Sequence, residues 1–315
     1  MELKNRIIEC AKAEAADLVG FAPASRFDKN DPIFKIYPEV KTVICLAFRI
    51  LRGVYRGVEE GTTYHQFTTM ARQTLENTVM PIATLRVANL LEEENYMALP
   101  QHRSMLLVNE EGDTNPEAPY SDIVCVGDKD VEMDFENSAV LCGIGELGFY
   151  GKLLTDDYGP MVRTCFILTD AEIEPDEVKE AHLCDNCGEC ARGCVGHAID
   201  EKTGKLDNWQ CAVYYDGAAG VRNPFMNPMA FAEFENRIDI IAGEAKVDRE
   251  LAIKIMDSNA FYPGIKNLFA ACMCGRSCDI ACYNHLETKG VLTKKFKTPF
   301  RRREPWKFDI KDFEM

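Results

Sequence analysis

The chain has 315 residues, a formal net charge of −15 and 46% hydrophobic residues. This length leaves room for two domains and supplies ample material for a hydrophobic core. The negative charge argues against a general affinity for nucleic acid or for anionic membranes. No apolar run is long enough to cross a bilayer, since the best one, Thr42 to Phe48, has the length of a strand.

The chain begins with a helix and a short strand. Ile7, Ile8 and Ala11 recur at helical spacing, and Leu18 to Phe21 has the composition of a buried strand. Further elements follow in chain order: a strand at Thr42 to Phe48, a long helical pattern from Thr63 to Tyr96 that Pro81 kinks or splits, possible strands at Leu106 to Val108 and Ile123 to Cys125, and a strand at Arg163 to Leu168. Strands alternating with helices predict an α+β (α/β-like) first domain over residues 1–175.

The second half of the chain is organised around cysteines. We predict a cysteine-rich domain over residues 176–290 that contains a largely helical insert, with helices at Met229 to Ile241 and Val247 to Asp257. Residues 291–315 form a tail rich in lysine, arginine and aromatic side chains. The tail is either a solvated face or a docking patch for an acidic electron donor.

The chain contains 14 cysteines. Disulfides are one explanation, typical of small secreted proteins. This chain is long, its N-terminus has the pattern of a charged amphipathic helix, and it shows no twin-arginine signal near the start. We therefore expect a cytoplasmic protein whose cysteines bind metal.

One cysteine run has the spacing of an iron–sulfur site. Cys184, Cys187 and Cys190 follow one another at C-x2-C-x2-C, and Cys194 comes four positions later. Three thiolates at this spacing can bind three corners of one [4Fe–4S] cubane, while the fourth cysteine reaches a second cluster. Zinc is the main alternative, but zinc ribbons use two separated C-x2-C pairs. The run therefore predicts a protein that transfers single electrons.

The remaining cysteines complete two clusters. Two [4Fe–4S] clusters take eight thiolates. Nine cysteines lie from Cys184 onward, which leaves one over. We predict the first cluster on Cys184, Cys187, Cys190 and Cys282. The second is predicted on Cys194, Cys211, Cys278 and either Cys272 or Cys274, with Cys274 as our choice.

A glycine motif precedes the cysteines. Residues Gly143, Gly145 and Gly148 match G-x-G-x-x-G, the pattern of a dinucleotide-binding loop. The segment that follows contains Gly151, Gly159 and Pro160, which makes a poor helix and weakens that interpretation. We favour a loop whose backbone approaches something flat or bulky.

Several stretches together resemble the epoxyqueuosine reductase and reductive dehalogenase superfamily. They are Leu18 to Pro23, the pair Tyr64 and His65, Leu141 to Gly148, Leu154 to Arg163, and the double cysteine motif. The resemblance runs over most of the chain, to about Glu287. It implies a first domain with a remodelled nitroreductase-like fold that holds cobalamin, followed by a ferredoxin-like domain with two [4Fe–4S] clusters. It also implies an external low-potential electron donor of the flavodoxin or ferredoxin type.

The resemblance directs attention to particular side chains. It implies cofactor-binding positions at Gly143, Gly145, Glu146, Gly148, Tyr158 and Gly159, and catalytic candidates at Asp134, Tyr150 and Arg163. Asp134 or Tyr150 would donate a proton, Tyr150 with help from Lys152 or Arg163. Arg163 is either in a structural ion pair or holds an anionic group. The substrate is expected to be a small molecule; nucleic acid enters only if the substrate is a tRNA.

The function that follows is a cobalamin-dependent iron–sulfur reductase that cleaves its substrate reductively. Two alternatives remain open from the residues alone. One is a non-catalytic electron-transfer protein, and the other is a reductive activator of a separate corrinoid protein.

Overall fold

The computed structural model describes residues 2–63, 66–102, 131–258 and 273–314. The predicted strands at residues 106–108 and 123–125, the pair Tyr64 and His65, and Cys272 lie outside these ranges. Within them the protein combines helices and strands, and no helix of the described residues has both the length and the apolar character needed to cross a membrane.

The centre of the first half is a four-stranded antiparallel sheet. Its strands are β1 (Leu18–Pro23), β2 (Thr42–Arg49), β3 (Ala98–Gln101) and β6 (Val162–Thr169), in the spatial order β1-β2-β6-β3. The strands predicted at Leu18, Thr42 and Arg163 are thus present. A separate two-stranded hairpin joins β4 (Glu146–Leu147) to β5 (Leu153–Leu154).

The helices follow in chain order. They are α1 (Leu3–Ala13), α2 (Ile33–Ile36), α3 (Arg52–Glu59), the π-helical segment α4 (Phe67–Val79), α5 (Met80–Glu93), α6 (Phe135–Leu141), α7 (Glu189–Arg192), α8 (Asn208–Tyr215), α9 (Arg237–Ala242), α10 (Arg249–Asp257) and α11 (Ser277–Lys289).

Helices cover both faces of the sheet. Side chains alternate between the faces of a strand, so Ile44 and Leu46 of β2 pack with α1 and α5, while Val43 and Cys45 pack with α2 and α6. Seven of the eight residues of β2 are buried, which explains its unbroken apolar sequence.

The long helical pattern divides near Pro81. The N–H of Met80 donates to the carbonyl of Leu75, five residues earlier, at the end of the π-helical segment α4. Proline lacks an N–H and is favoured in the first turn of an α-helix. Pro81 accordingly lies in the first turn of α5.

The helix predicted from Met229 to Ile241 is too long. Only Arg237–Ala242 is helical, and turns precede it. Phe231 has a left-handed backbone with φ of 60°, and the buried Arg237 guanidinium donates to the carbonyls of Ala230, at 2.8 Å, and of Pro228. A buried cation that binds free carbonyls therefore replaces the helical hydrogen bonds that the sequence pattern favoured.

The tail from residue 291 packs against the rest of the protein. Phe300 is fully buried beside Tyr283, and Phe313 joins the core of α8, α9 and α10. Arg301 donates to the buried carboxylate of Glu59 at 2.8 Å through Nε, and the N–H of Trp306 donates to the Glu59 carbonyl at 2.7 Å. The tail therefore has a structural function, while several of its cations remain exposed. The proposed domain limits at residues 175 and 290 stay a prediction.

The Glu59–Arg301 pair yields a stability prediction. Burial raises the pKa of Glu59, while Arg301 opposes that change. The change Arg301→Ala removes two hydrogen bonds from a carboxylate that is only 2% exposed. We expect a loss of about 2 kcal/mol in the free energy of unfolding. The adjacent exposed change Arg302→Ala should alter it by less than about 0.5 kcal/mol. Equal denaturation midpoints for the two variants would contradict the assigned role.

Candidate iron–sulfur site

Four cysteines from two distant stretches line one narrow cavity. Cys184, Cys187, Cys190 and Cys282 all contribute to its wall. Cys190 lies on α7 and Cys282 on α11, and these two helices pack together. The set is the one proposed from the sequence for the first cluster.

Burial makes the thiols of this cavity weaker acids than free cysteine. Burial raises the pKa of the Cys190 thiol to about 11. It also raises the pKa of the Cys282 thiol, with the neighbouring Cys190 as the next cause. Such thiols keep their protons near neutral pH unless a metal displaces them. Soft sulfur ligands in this number suit an iron–sulfur cluster or zinc.

A second group of cysteines meets beside the first. Burial raises the pKa of the Cys278 thiol far above its ordinary value, and the charge of Asp279 and the nearby ionisable thiols of Cys194 and Cys211 raise it further. Cys194, Cys278 and Cys282 all pack against the small core that contains Cys190. The two groups are therefore close neighbours.

Cys274 packs against a different core from the one around Cys190. It packs with Cys184 and Cys282 on the core of α3 and α11. The structure describes Cys274 and not Cys272, so the choice between them stays open, and the ligand sets of both clusters stay predictions.

Backbone N–H groups surround the sulfurs. Phe149 donates to Cys184 Sγ at 3.2 Å, Ala198 to Cys194 Sγ at 3.3 Å, and Arg276 to Cys274 Sγ at 3.3 Å. Such donors stabilise thiolate charge and tune the reduction potential of a cluster.

Glu146 anchors the loop that carries the first cysteine. Its carboxylate accepts hydrogen bonds from the backbone N–H groups of His182 at 2.6 Å, Leu183 at 3.0 Å and Cys184 at 2.8 Å. Glu146 is only 4% exposed. It was predicted to bind a cofactor; in the structure it holds the protein segment that leads into the cysteine run.

The glycine motif forms a hairpin next to this anchor. The helix α6 precedes it and the strand β5 follows it, so the strand–turn–helix of a dinucleotide-binding loop is absent from residues 135–154. A Cβ on Gly143 would lie 2.4 Å from the Glu177 carbonyl oxygen, and one on Gly145 would lie 1.9 Å from that of Leu154. These close backbone neighbours explain why glycine is required at Gly143 and Gly145. Cofactor binding by Gly143, Gly145 and Gly148 stays a prediction.

Two further residues from the same prediction lie in the turn after β5. Gly159 exchanges backbone hydrogen bonds with Thr155 and has a φ of 53°, which favours glycine. The Tyr158 hydroxyl lies 3.3 Å from the carboxylate of Asp17, to which it donates. Tyr158 also lines a separate cavity beside Tyr283. Their part in cofactor binding is untested.

The structure places Tyr150 in a buried polar cluster. Its hydroxyl donates to Asp279 Oδ1 at 2.7 Å, and Arg276 Nε donates to Asp279 Oδ2 at 3.0 Å. Burial raises the pKa of Tyr150 far above its ordinary value, and the charge of Asp279 adds to the effect. Tyr150 therefore stays protonated, and its hydroxyl donates to the fully buried carboxylate of Asp279.

The other two catalytic candidates have structural partners. Arg163 Nε donates to Glu76 Oε1 at 2.6 Å, with both side chains almost buried. Asp134 is exposed, and its Oδ1 accepts from the N–H groups of Glu136 and Asn137 at 3.1 and 3.0 Å. It caps the start of α6, a role that suits aspartate. Catalysis by either residue stays a prediction.

Sequence reasoning did not identify Asp279 or Arg276. Asp279 follows Cys278 within a segment whose only clear signal is its cysteine spacing. No periodic pattern distinguishes a buried aspartate in such a run, so only the fold reveals the cluster around it.

Comparison with curated proteins found matches over one local stretch. The stretch is 36% identical over 67 residues to the tetrachloroethene reductive dehalogenase of Desulfitobacterium hafniense, covering 20% of this chain and 12% of that protein. The match to the enzyme of the same name from Sulfurospirillum multivorans is 33% over 66 residues, covering 20% and 13%. Over this stretch the chain resembles reductive dehalogenases. It aligns with only about an eighth of the length of these relatives, and no protein-family model matches it.

Similar solved structures come from both branches of the superfamily. The epoxyqueuosine reductase of Streptococcus thermophilus is 16% identical, with 91% of this chain and 80% of that chain covered and a TM-score of 0.47. A reductive dehalogenase studied for B12-dependent dehalogenation is 14% identical, with 91% and 37% covered and a TM-score of 0.47.

The anchor at Glu146 makes a testable prediction. In Glu146→Gln the new amide nitrogen cannot accept a hydrogen bond, so at least one of the three N–H groups loses its acceptor. We expect the loop to loosen and the iron content after anaerobic reconstitution to fall toward about four atoms per chain, as for a single cluster. The exposed change Glu180→Gln serves as the control. Normal iron content and normal unfolding in Glu146→Gln would show that the anchor is dispensable.

Lys152 predicts a pH effect on stability. Its Nζ donates to Glu136 at 2.7 Å, and burial lowers its pKa to about 8 from an ordinary value of 10.5. Between these two values the unfolded chain binds more protons than the folded one, so stability rises with pH. We expect the free energy of unfolding of wild type to gain up to about 3 kcal/mol over Lys152→Met across this window. Parallel pH profiles for the two proteins would contradict the shift.

Proposed function

We propose that the protein is an iron–sulfur oxidoreductase that carries two [4Fe–4S] clusters, related to the epoxyqueuosine reductases and reductive dehalogenases. The observation that carries the proposal is the cavity formed by Cys184, Cys187 and Cys190 together with Cys282 from α11. The local similarity to reductive dehalogenases supports the reductase assignment.

The two proposed clusters form a short path for electrons. The first uses the four cysteines of the cavity, and the second uses Cys194, Cys211, Cys278 and either Cys272 or Cys274. Support for their proximity comes from the core around Cys190, against which Cys194 and Cys278 pack. Ligands exchanged between distant stretches are typical of two-cluster ferredoxin-like segments, and such a segment after a nitroreductase-like first domain is the architecture that we propose.

Cobalamin is the proposed partner of the clusters, and this part rests on the resemblance. When bound, cobalamin supplies a strongly reducing cobalt centre. The glycine hairpin is a poor fit for a corrin ring, because the backbones of Glu177 and Leu154 cover the bare faces of Gly143 and Gly145. We therefore propose cobalamin dependence without assigning its site to these glycines.

The donor, the substrate and the compartment are also proposals. An acidic low-potential carrier of the flavodoxin or ferredoxin type is favoured by the exposed cations Lys295, Lys297 and Arg302 on the tail. The tail reaches the first cysteine group where Phe300 packs on Tyr283, which follows Cys282. A small molecule is the proposed substrate, and a reducing setting such as the cytoplasm would keep the thiolates available.

Iron analysis tests the cluster assignment. Protein reconstituted anaerobically with iron and sulfide should bind about eight iron atoms and show the paramagnetic signals of reduced clusters. Cys282→Ser should lose about half of the iron, whereas Cys10→Ser, at a cysteine outside both groups, should keep all of it. Colourless protein, or zinc in place of iron, would contradict the proposal.

The same iron-loaded protein tests the reductase assignment. Saturable uptake of added cobalamin at one equivalent per chain is the result expected for the enzyme. Full iron loading without cobalamin uptake would favour an electron carrier and would remove cobalamin from the proposal.

A further inference from the structure

A cavity of about 530 Å³ opens beside α11, at the edge of the β2–α3 junction. Its volume lies in the range of small-molecule sites. Tyr283 forms part of its wall, and the preceding residue, Cys282, lines the four-cysteine cavity. The two cavities are therefore neighbours on one helix. We call this second cavity the basic pocket.

The lining of the basic pocket is cationic. Arg49, Arg52 and Lys294 line it, and no aspartate or glutamate does among the residues that the structure describes. This is unusual for a chain with a net charge of −15. The charged groups in the wall therefore attract an anion, although Asp17 and Glu287 behind the wall pair with two of the three cations.

The three cations differ in what they can offer a ligand. Arg52 is already engaged, since it donates to Glu287 and to the carbonyl of Thr298. Lys294 has no carboxylate within 4.0 Å among the described parts of the chain, and its ammonium lies 5.4 Å from the centre of the Tyr158 ring. The Arg49 side chain is 42% exposed and lies 3.5 Å from Asp17. Lys294 is thus the lining cation without a carboxylate partner among the described residues, whereas Arg49 reaches a bound anion in competition with Asp17.

The rest of the wall is apolar and aromatic. Ile50 and Met161 are buried beneath the opening, and the exposed ring of Phe296 lies 4.0 Å from the Arg52 guanidinium. Tyr158 and Tyr283 supply further aromatic surface. Flat apolar surfaces next to cations suit an aromatic ring that bears a negative group.

We propose that the basic pocket binds a planar aromatic anion, an aromatic ring that carries a phosphate or a carboxylate. The ring lies against the aromatic wall, and its anionic group faces Lys294 and Arg49. Binding is independent of the proposed function.

A fluorescence titration of the full chain tests the pocket with three probes of one ring system: 1-naphthyl phosphate, 1-naphthoate and 1-naphthol. We expect at least one anion to bind about tenfold more tightly than the neutral naphthol, because a charged hydrogen bond is worth roughly that factor. Tighter binding of the phosphate points to a nucleotide-like ligand, and tighter binding of the carboxylate points to an aromatic acid. Equal binding of all three probes, or of none, would overturn the proposal.

Variants locate the binding. Lys294→Ala and Arg49→Ala should each weaken anion binding about tenfold, while Lys205→Ala, at an exposed lysine outside the lining, should not. Gly53 lines the pocket in the first turn of α3, and a Cβ there meets nothing within 4 Å. Gly53→Leu should therefore add a side chain at the wall of the pocket and weaken anion binding, and its denaturation midpoint checks that it folds normally. Wild-type affinity in Gly53→Leu would place the ligand elsewhere.

Iron content separates this proposal from the proposed function. The titration is repeated on iron-free and iron-loaded protein. Binding without any capacity to take up iron supports the pocket and overturns only the cluster assignment. Full iron loading without anion binding overturns only the pocket.

Discussion

The cysteine site depends on one buried carboxylate. Glu146 belongs to the short glycine hairpin of the first half, and its three backbone acceptor contacts fix the segment from His182 to Cys184. A carboxylate that accepts several N–H groups is strongly held, and its removal leaves buried donors unsatisfied. The glycines beside Glu146 permit this arrangement because they let the hairpin approach the carbonyls of Glu177 and Leu154. The glycine motif and the cysteine motif are therefore parts of one structure.

A second buried carboxylate controls the charge next to the proposed second cluster. Asp279 is fully buried, and Arg276 is the first of the cations that lower its pKa against the effect of burial. It stays ionised and follows Cys278 directly. A fixed negative charge disfavours the addition of an electron to a nearby cluster, whereas Arg276 and the N–H donors favour it. In the proposed protein this balance would influence the reduction potential of the second cluster. Tyr150 donates a hydrogen bond to the same carboxylate.

Sequence reasoning succeeded where the decisive contacts are local or periodic. The strands β2 and β6 follow from unbroken runs of β-branched and aromatic residues, and the spacing of Cys184, Cys187 and Cys190 indicates their common site. It failed where one side chain acts across the fold. Arg237 binds carbonyls seven and nine residues earlier, so the predicted helix begins only at this residue. The partners of Glu146 lie 36 to 38 residues along the chain. Neither contact leaves a pattern in the sequence.

The tail shows how one segment serves structure and surface charge together. Its aromatic residues Phe300 and Phe313 are buried, so they fix the path of the backbone over the first and second halves of the chain. Lys294 and Phe296 lie along that path and become part of the wall of the basic pocket. Because the same segment packs against Tyr283, the cations of the basic pocket share a wall with the residue that follows Cys282, a proposed cluster ligand. An acidic protein thereby presents its cations where an anionic ligand or an acidic electron donor would be closest to the first cluster.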